Sequence, residues 1–285
     1  MSLSYAGRKR RDSLPNRMTT SLLDAFLQQL KTAPSSALLL DYDGTLAPFH
    51  LDRNRAFPYP GAISILEKIA RSGRTKVIII SGRPIVELPA LLVPMNNLEM
   101  WGTHGLERQL SNGSYSYVPI SAEDAVALAK AQEWVVAAGL LSRAEIKLGG
   151  IAIHWRGLSP AEAKSVRWLT LDGWTKIAEQ SRLKLLQFEG GLELRVSHPD
   201  KGDAVTSILE DLQPRAPVAY LGDDLTDEDA FRVLTGHGLT VLVKDIYRET
   251  SADIWIKPPQ ELIDLLERWL ISISGLSDPT LDLMQ

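Results

Sequence analysis

A parallel α/β sheet flanked by helices and interrupted by an inserted α+β domain is the fold class that three observations predict. Short apolar runs alternate with segments of helical period from Ala37 onward, the signature of a sheet covered by helices. Between about Glu107 and Val196 the rhythm changes. There the strands alternate polar with apolar and come in adjacent pairs, as antiparallel sheets with one open face do. The parallel rhythm resumes after Pro199.

Taken in order, residues 1–20 carry Arg8, Lys9, Arg10 and Arg11 with no apolar stretch behind them, so a disordered tail is expected rather than a secretory leader. Ser21 is placed to cap a helix with Leu23, Phe26, Leu27 and Leu30 on one face. "ALLLD" from Ala37 reads as a strand, Ala62, Ile65, Leu66 and Ile69 as an amphipathic helix, and "KVIIIS" from Lys76 as the next buried strand. Pro84 starts a further helix and "LEMWG" gives a third strand. In the insert, "SYSYVPI" is half of a hairpin and Ser121 starts a helix. "AEIKLGGIAIHWRG" makes two strands turning at Gly149 and Gly150. "LKLLQFE" and "LELRV" repeat the pattern around Gly190 and Gly191, after a second helix with Trp168 and Trp174. Val205, Ile208, Leu209 and Leu212 then form a helical stripe, "PVAYLGDD" and "GLTVLV" are strands, and Leu262, Leu265, Leu266, Trp269 and Leu270 mark a last helix. The expected division is a core of 21–107 plus 197–285 and an insert of 108–196.

Charge and composition narrow the partners. Against 31 basic residues stand 35 acidic ones, so no strong field points to nucleic acid or a membrane surface. The apolar runs are too short to span a bilayer. Absence of cysteine excludes disulfides and thiolate metal sites and fits a reducing cytoplasm. A small polar ligand is the expected partner.

Chemistry gathers at strand ends. Side chains alternate along a strand, so Asp41 and Asp43 point the same way at the carboxyl end of the first one, and Gly44 permits the turn out. "GDDLTDED" ends another strand of the same sheet with Asp223, Asp224 and Asp227. Carboxylates crowded in this way repel one another unless a cation joins them, and hard oxygen donors favour Mg²⁺. Ser81 in "SGR" supplies a hydroxyl beside backbone amides, and Lys201 a point charge ahead of a helix. Each has a plain alternative: Ser81 as a turn residue, Lys201 as a solvated helix lead, Asp227 as a residue favoured by a helix dipole. Jointly they form a phosphoryl-transfer site at the edge where open α/β sheets bind ligands.

In their order D-x-D-G-T (Asp41 to Thr45), Ser81, Lys201 and G-D-D-x-x-D (Gly222 to Asp227), these motifs resemble the haloacid dehalogenase superfamily. The resemblance implies a Rossmann-like parallel-sheet core with a cap inserted between Ser81 and Lys201. It implies Asp41 as the nucleophile, forming an aspartyl-phosphate, and Asp43 as acid and then base. Ser81 and Lys201 would hold phosphoryl oxygens, and Mg²⁺ would sit on Asp41, the Asp43 carbonyl and Asp223, with Asp224 or Asp227 behind. An acid-base Asp at position 43 is a mark of phosphatases and phosphomutases within it.

The strings "SGRP", "GTHGLE", "KLGGIAIHWR", "GGLELR", "DKGDAV" and "GDDLTDEDAF" further resemble trehalose-6-phosphate phosphatases over nearly all of residues 37–256. By that resemblance Gly82, Arg83, His104 and Glu107 line the site entrance, and Lys147, His154, Arg156, Glu193 and Arg195 include the sugar contacts. Gly149 and Gly150, where such enzymes usually have Ser, and the short approach "VSHPDKG" to Lys201 are departures. The implied activity is Mg²⁺-dependent hydrolysis of trehalose 6-phosphate in the cytoplasm, with a trehalose-phosphate synthase as a partner. The alternatives are a phosphatase of another sugar phosphate such as sucrose 6-phosphate or glucosylglycerol phosphate, a phosphohexomutase, and a non-catalytic sugar-phosphate-binding regulator.

Overall fold

The computed structural model describes residues 15–188 and 190–275. The tail expected before Pro15 therefore lies outside the described residues, as does the stretch after Gly275. Helix α1 (Pro15–Thr32) begins inside the 1–20 segment expected as a tail, so Ser21 is interior to it and not its cap. Its apolar stripe of Leu23, Phe26, Leu27 and Leu30 is buried as the period requires.

The chain continues through β1 (Ser36–Leu40), α2 (Ala62–Arg71), β2 (Thr75–Ile80), β3 (Glu99–Gly102), β4 (Glu107–Gln109) and β5 (Tyr115–Tyr117). The inserted domain comprises α3 (Ala122–Ala137), β6 (Ala144–Lys147), β7 (Gly150–His154), α4 (Pro160–Glu179), β8 (Lys184–Phe188) and β9 (Gly191–Arg195). Next come α5 (Lys201–Asp211), β10 (Val218–Gly222), α6 (Glu228–Leu234), β11 (Leu239–Val243), β12 (Ile254–Ile256) and α7 (Gln260–Ser274).

The first sheet runs β12-β11-β10-β1-β2-β3-β4-β5, parallel from β12 to β3 and antiparallel over β4 and β5. Its central strand explains its own sequence: Leu38 and Leu40 face a layer with Leu27, Leu66 and Trp269, while Ala37 and Leu39 face one with Val205, Ile208 and Phe231. A strand covered on both sides needs an unbroken apolar run.

Two expectations shift. Antiparallel β4 and β5 join the edge of the core sheet, so residues to Tyr117 extend the core beyond the boundary expected at Glu107. Alternation reveals that a strand has one open face, not which sheet it joins. After Pro84 only a single tight turn forms, Ile85–Glu87, because Pro89 and Pro94 come too soon for a longer helix.

The second sheet, β6-β7-β9-β8, is antiparallel throughout. One face packs Ile151, Ile153, Leu192 and Leu194 against Ala131, Val135 and Trp174 of α3 and α4. Of the two tryptophans on α4, only Trp174 is core; Trp168 is exposed. Residues of the other face, Glu145, Lys147, His154 and Glu193, line a cleft together with the carboxyl edge of the first sheet. Among the described residues, no helix is long and apolar enough to cross a membrane.

Candidate active site

Asp41 comes directly after β1, and its backbone N–H donates to the Leu221 carbonyl at 2.9 Å, fixing it beside β10. Lys201, at the start of α5, is 2 % exposed and donates to Asp41 Oδ1 and to Asp227 Oδ1, both at 2.6 Å. Asp227 is fully engaged. Its Oδ1 also accepts from Tyr220 at 2.6 Å, and its Oδ2 accepts from the backbone N–H groups of Asp223 at 3.0 Å and Asp224 at 2.9 Å. It therefore organises the loop after β10 and aims Lys201.

Asp223 packs against the turn after β1, where Gly44 has φ +90° and a Cβ would stand 2.2 Å from Asp223 Oδ2. Only glycine fits there. Asp224 caps the next turn through Leu225 and lines the cleft.

Charge is out of balance in this nest. The carboxylates of Asp41, Asp223 and Asp227 come together within 4.8 Å, all buried, against the Lys201 ammonium and, at 3.5 Å from Asp223, Lys244. Burial pushes the Asp41 carboxyl up to about 7, against the opposing pull of Lys201. Burial, then Asp41, Asp227 and Asp224, push Asp223 well above the carboxylate range. Asp227 goes the other way: burial raises it, but Lys201 prevails and holds it low. A hard divalent cation fits this donor set, with Asp41 and Asp223 as the carboxylates not consumed by loop bonds.

Asp43 meets Arg83 in a bidentate pair, Nε to Oδ2 at 2.6 Å and Nη2 to Oδ1 at 2.7 Å. Ser81, at the end of β2, accepts from the Arg83 N–H at 3.1 Å. Gly82 carries the imidazole of His104 directly upon it: a Cβ there would stand 2.6 Å from Cε1.

The inserted domain closes over this edge as a cap. Lys147 Nζ lies 2.5 Å from Glu193 Oε1 and donates to the Gly82 carbonyl at 3.2 Å. His104 Nε2 faces Glu193 Oε2 at 3.2 Å. Burial, the largest influence, raises the Glu193 carboxyl, but Lys147, His104 and Arg195 together hold it well below its usual range. Arg156 stacks over Phe49 at 4.3 Å and faces Phe188 at 5.8 Å.

Three sequence candidates stand apart from the cleft lining: Asp227, spent on Lys201 and its own loop, and also Glu107 and Arg195. Glu107 accepts from Thr103, from Ile85 N–H at 3.4 Å and from Tyr115 at 2.9 Å, tying the turn that presents His104. Arg195 is buried on β9 opposite Gly150, its Nε and Nη1 without hydrogen-bond partners among the described residues. Conversely, Glu145, Arg53, Phe49 and Phe188 line the cleft unforeseen. Glu145 had a signal, being two residues before Lys147 on one strand face. Arg53 lies in an irregular segment and had none.

His104 yields a pH prediction. Its φ of 57° is left-handed, a conformation Asn also tolerates, so His104→Asn keeps the backbone. Burial, the largest influence, lowers the imidazole to about 4 from 6.5. Between these values the unfolded chain binds the extra proton, so His104 removes stability as pH falls from 6.5 toward 4. Relative to His104→Asn, the wild type should lose roughly 3 kcal/mol across that window. Denaturant unfolding of both proteins at matched pH measures the difference, and a constant gap would refute a buried neutral His104.

Known proteins resemble this chain in sequence and in fold. The profile of the Trehalose-phosphatase family matches residues 39–254, spanning Asp41, the whole cap and the loop after β10. Trehalose-phosphate phosphatase B of Arabidopsis thaliana is 29% identical over 258 residues, covering 81% of this chain and 65% of that relative. The chain thus spans about two thirds of its length. The C-terminal domain of trehalose-6-phosphate phosphatase from Candida albicans superimposes with a TM-score of 0.75 at 20% identity, over 89% of this chain and 97% of that one. A phosphatase of the haloalkanoate (HAD) enzyme superfamily from Bacteroides thetaiotaomicron superimposes with a TM-score of 0.54 at 17% identity, over 84% and 96%. These structural likenesses establish a core and cap of that superfamily's fold, and the matched profile covers most of the chain: the protein belongs to the trehalose-phosphatase family.

Proposed function

We propose that the protein is a Mg²⁺-dependent phosphatase that hydrolyses trehalose 6-phosphate to trehalose and phosphate. The observation that carries this reading is the buried Asp41–Lys201 pair at 2.6 Å, with Asp43 on the same loop and a polar cap face above. An Asp41 carboxylate oxygen attacks phosphorus as the bond to the sugar oxygen breaks, and Asp43 gives that oxygen its proton. Asp43 then takes a proton from the water that attacks phosphorus, releasing Asp41 and phosphate. Ser81 and Lys201 hold the phosphoryl oxygens. Bound Mg²⁺ would supply charge neutralisation between the acidic residues and the incoming dianion.

Arg83 has a part in the same account. It occupies both oxygens of Asp43, so proton donation requires that pair to open. An arriving phosphate competes for the guanidinium and frees the Asp43 carboxylate, which takes up a proton from water before it donates one to the leaving oxygen. On the cap, Glu145, Lys147 and Glu193 offer the mixture of acceptors and donors that a polyhydroxylated ligand needs once water is expelled. A cytoplasmic setting and a trehalose-phosphate synthase as supplier go with this reading, since a charged sugar phosphate does not cross a bilayer unaided.

The test is phosphate release from a panel of sugar phosphates with and without EDTA. Trehalose 6-phosphate should be preferred and chelation should stop turnover. Preference for sucrose 6-phosphate or glucosylglycerol phosphate would change the substrate and leave the mechanism; turnover undiminished by EDTA would remove the metal.

A further inference from the structure

One core–cap contact involves a residue that the chemistry does not use. Arg53 sits in a short turn whose preceding residue, Asp52, accepts from the Asn54 N–H at 3.0 Å and so fixes the turn's start. Its Nη2 donates to Glu87 of the core at 3.1 Å, and its Nη1 pairs with Glu145 of the cap. The Arg53 carbonyl accepts from Arg83 Nη1 at 3.1 Å, but that is a main-chain contact which a side-chain change leaves in place.

Glu145 is the informative partner. Its Oε2 takes both Arg53 and, at 2.8 Å, His154 Nε2. Its Oε1 is buried with no hydrogen-bond partner among the described residues, the Lys147 ammonium standing 3.8 Å away, beyond hydrogen-bond reach, and Glu145 lines the cleft. A buried acceptor left open in this way is a site awaiting a donor. A sugar hydroxyl is such a donor. The carboxyl stays ionised, since His154, Lys147 and Arg53 overcome the effect of burial and hold it near about 2. Because Glu87 holds Arg53 from the core side, the guanidinium is already placed when the cap comes down, and little side-chain freedom is lost on closing.

We propose that Arg53 is a positioning residue: it latches the cap to the core through Glu145 and, by occupying Oε2, leaves Oε1 turned to a hydroxyl of the sugar. The proposal rests on the sugar-phosphatase reading. Arg53 acts on the sugar through Glu145; its side chain meets the reacting end only at second hand, through Glu87 Oε2, which Arg83 Nη1 also approaches at 3.5 Å, so its loss should fall mainly on recognition of the sugar.

The experiment compares wild type, R53Q and R53K on trehalose 6-phosphate and on p-nitrophenyl phosphate, which has no sugar. R53Q should raise KM for the sugar phosphate about tenfold with kcat reduced less than threefold, and should shrink the preference over p-nitrophenyl phosphate about tenfold. R53K should recover part of the loss, as a point charge reaches one carboxylate but not two. E145Q combined with R53Q should add less than the sum of the single effects. A readout without substrate accompanies these: the radius of gyration from small-angle scattering should be larger for R53Q than for wild type, and wild type at ~0.5 M salt should shift the same way as the pair is screened. Equal losses on both substrates, or identical KM and radius in R53Q and wild type, overturn the proposal. Should wild type cleave p-nitrophenyl phosphate but no sugar phosphate, the substrate reading fails, and the scattering comparison alone decides the latch.

Discussion

Asp41→Asn should reduce turnover by about 10⁴-fold or more while substrate binding persists, because the amide keeps the size and hydrogen-bonding reach of the carboxyl but cannot attack phosphorus. Phosphate release and equilibrium binding of the same variant provide the check. Undiminished turnover would place the nucleophile elsewhere. A stability effect of opposite direction accompanies the loss. Folded Asp41 keeps its proton up to about 7, while the unfolded residue loses it near 3.8. Between those values the fold is favoured as pH falls, and above 7 that advantage is gone. Asn has no such dependence. Without divalent cations at pH 8, Asp41→Asn should therefore melt above the wild type, and melting curves across pH 5 to 8 should converge toward the acid end.

Lys201→Met should be the most damaging single change to the fold as well as to activity. The ammonium is enclosed by Asp41 and Asp227. Burial alone would lower its proton affinity, but Asp227 and then Asp41 hold it above the ordinary lysine range. Removing one partner of such a nest leaves buried carboxylates unmatched, at about 3–5 kcal/mol, equivalent to a fall in melting temperature of about 10 °C for a chain of this size. The double variant Lys201→Met with Asp227→Asn should recover much of the stability and none of the turnover. That separation distinguishes a charge holding the loop from one that also holds the phosphate. If the double variant were as unstable as the single, the loss would lie in packing rather than in unmatched charge.

Particular residues show why some of this was legible in the sequence. "ALLLD" could be read because a strand covered on both faces must be apolar throughout, and the aspartate that stops the run marks the sheet edge. Leu262, Leu265, Leu266 and Trp269 could be read because helical period and burial coincide, and all four are buried in α7. The strands after Glu107 could be recognised but not assigned to a sheet, since β4 and β5 carry the same alternation whether they extend the core or begin the cap. Pro84 misled because a proline can open a helix only if the next turns are free of proline, and here Pro89 and Pro94 stand in them.

At the site the division is similar. Asp41, Asp43, Ser81, Lys201, Asp223 and Asp227 occupy strand ends and a helix start, positions that the short-range pattern specifies. Glu107 and Arg195 carry suitable charge for the cleft, yet the structure places them outside its lining, the one tying a turn and the other buried at the end of β9.

The sequence by itself determined which residues end strands, which helix faces are apolar and that an α+β insert interrupts the parallel core, because these arise from periods of two and 3.6 residues along one stretch of chain. Only the tertiary structure decided that Arg83 holds Asp43, that Asp227 is spent on Lys201 and its own loop, and that Arg53 meets Glu145 across the cleft. Those pairings join residues distant in the chain, and side-chain charge states an affinity without naming the partner that folding brings within reach.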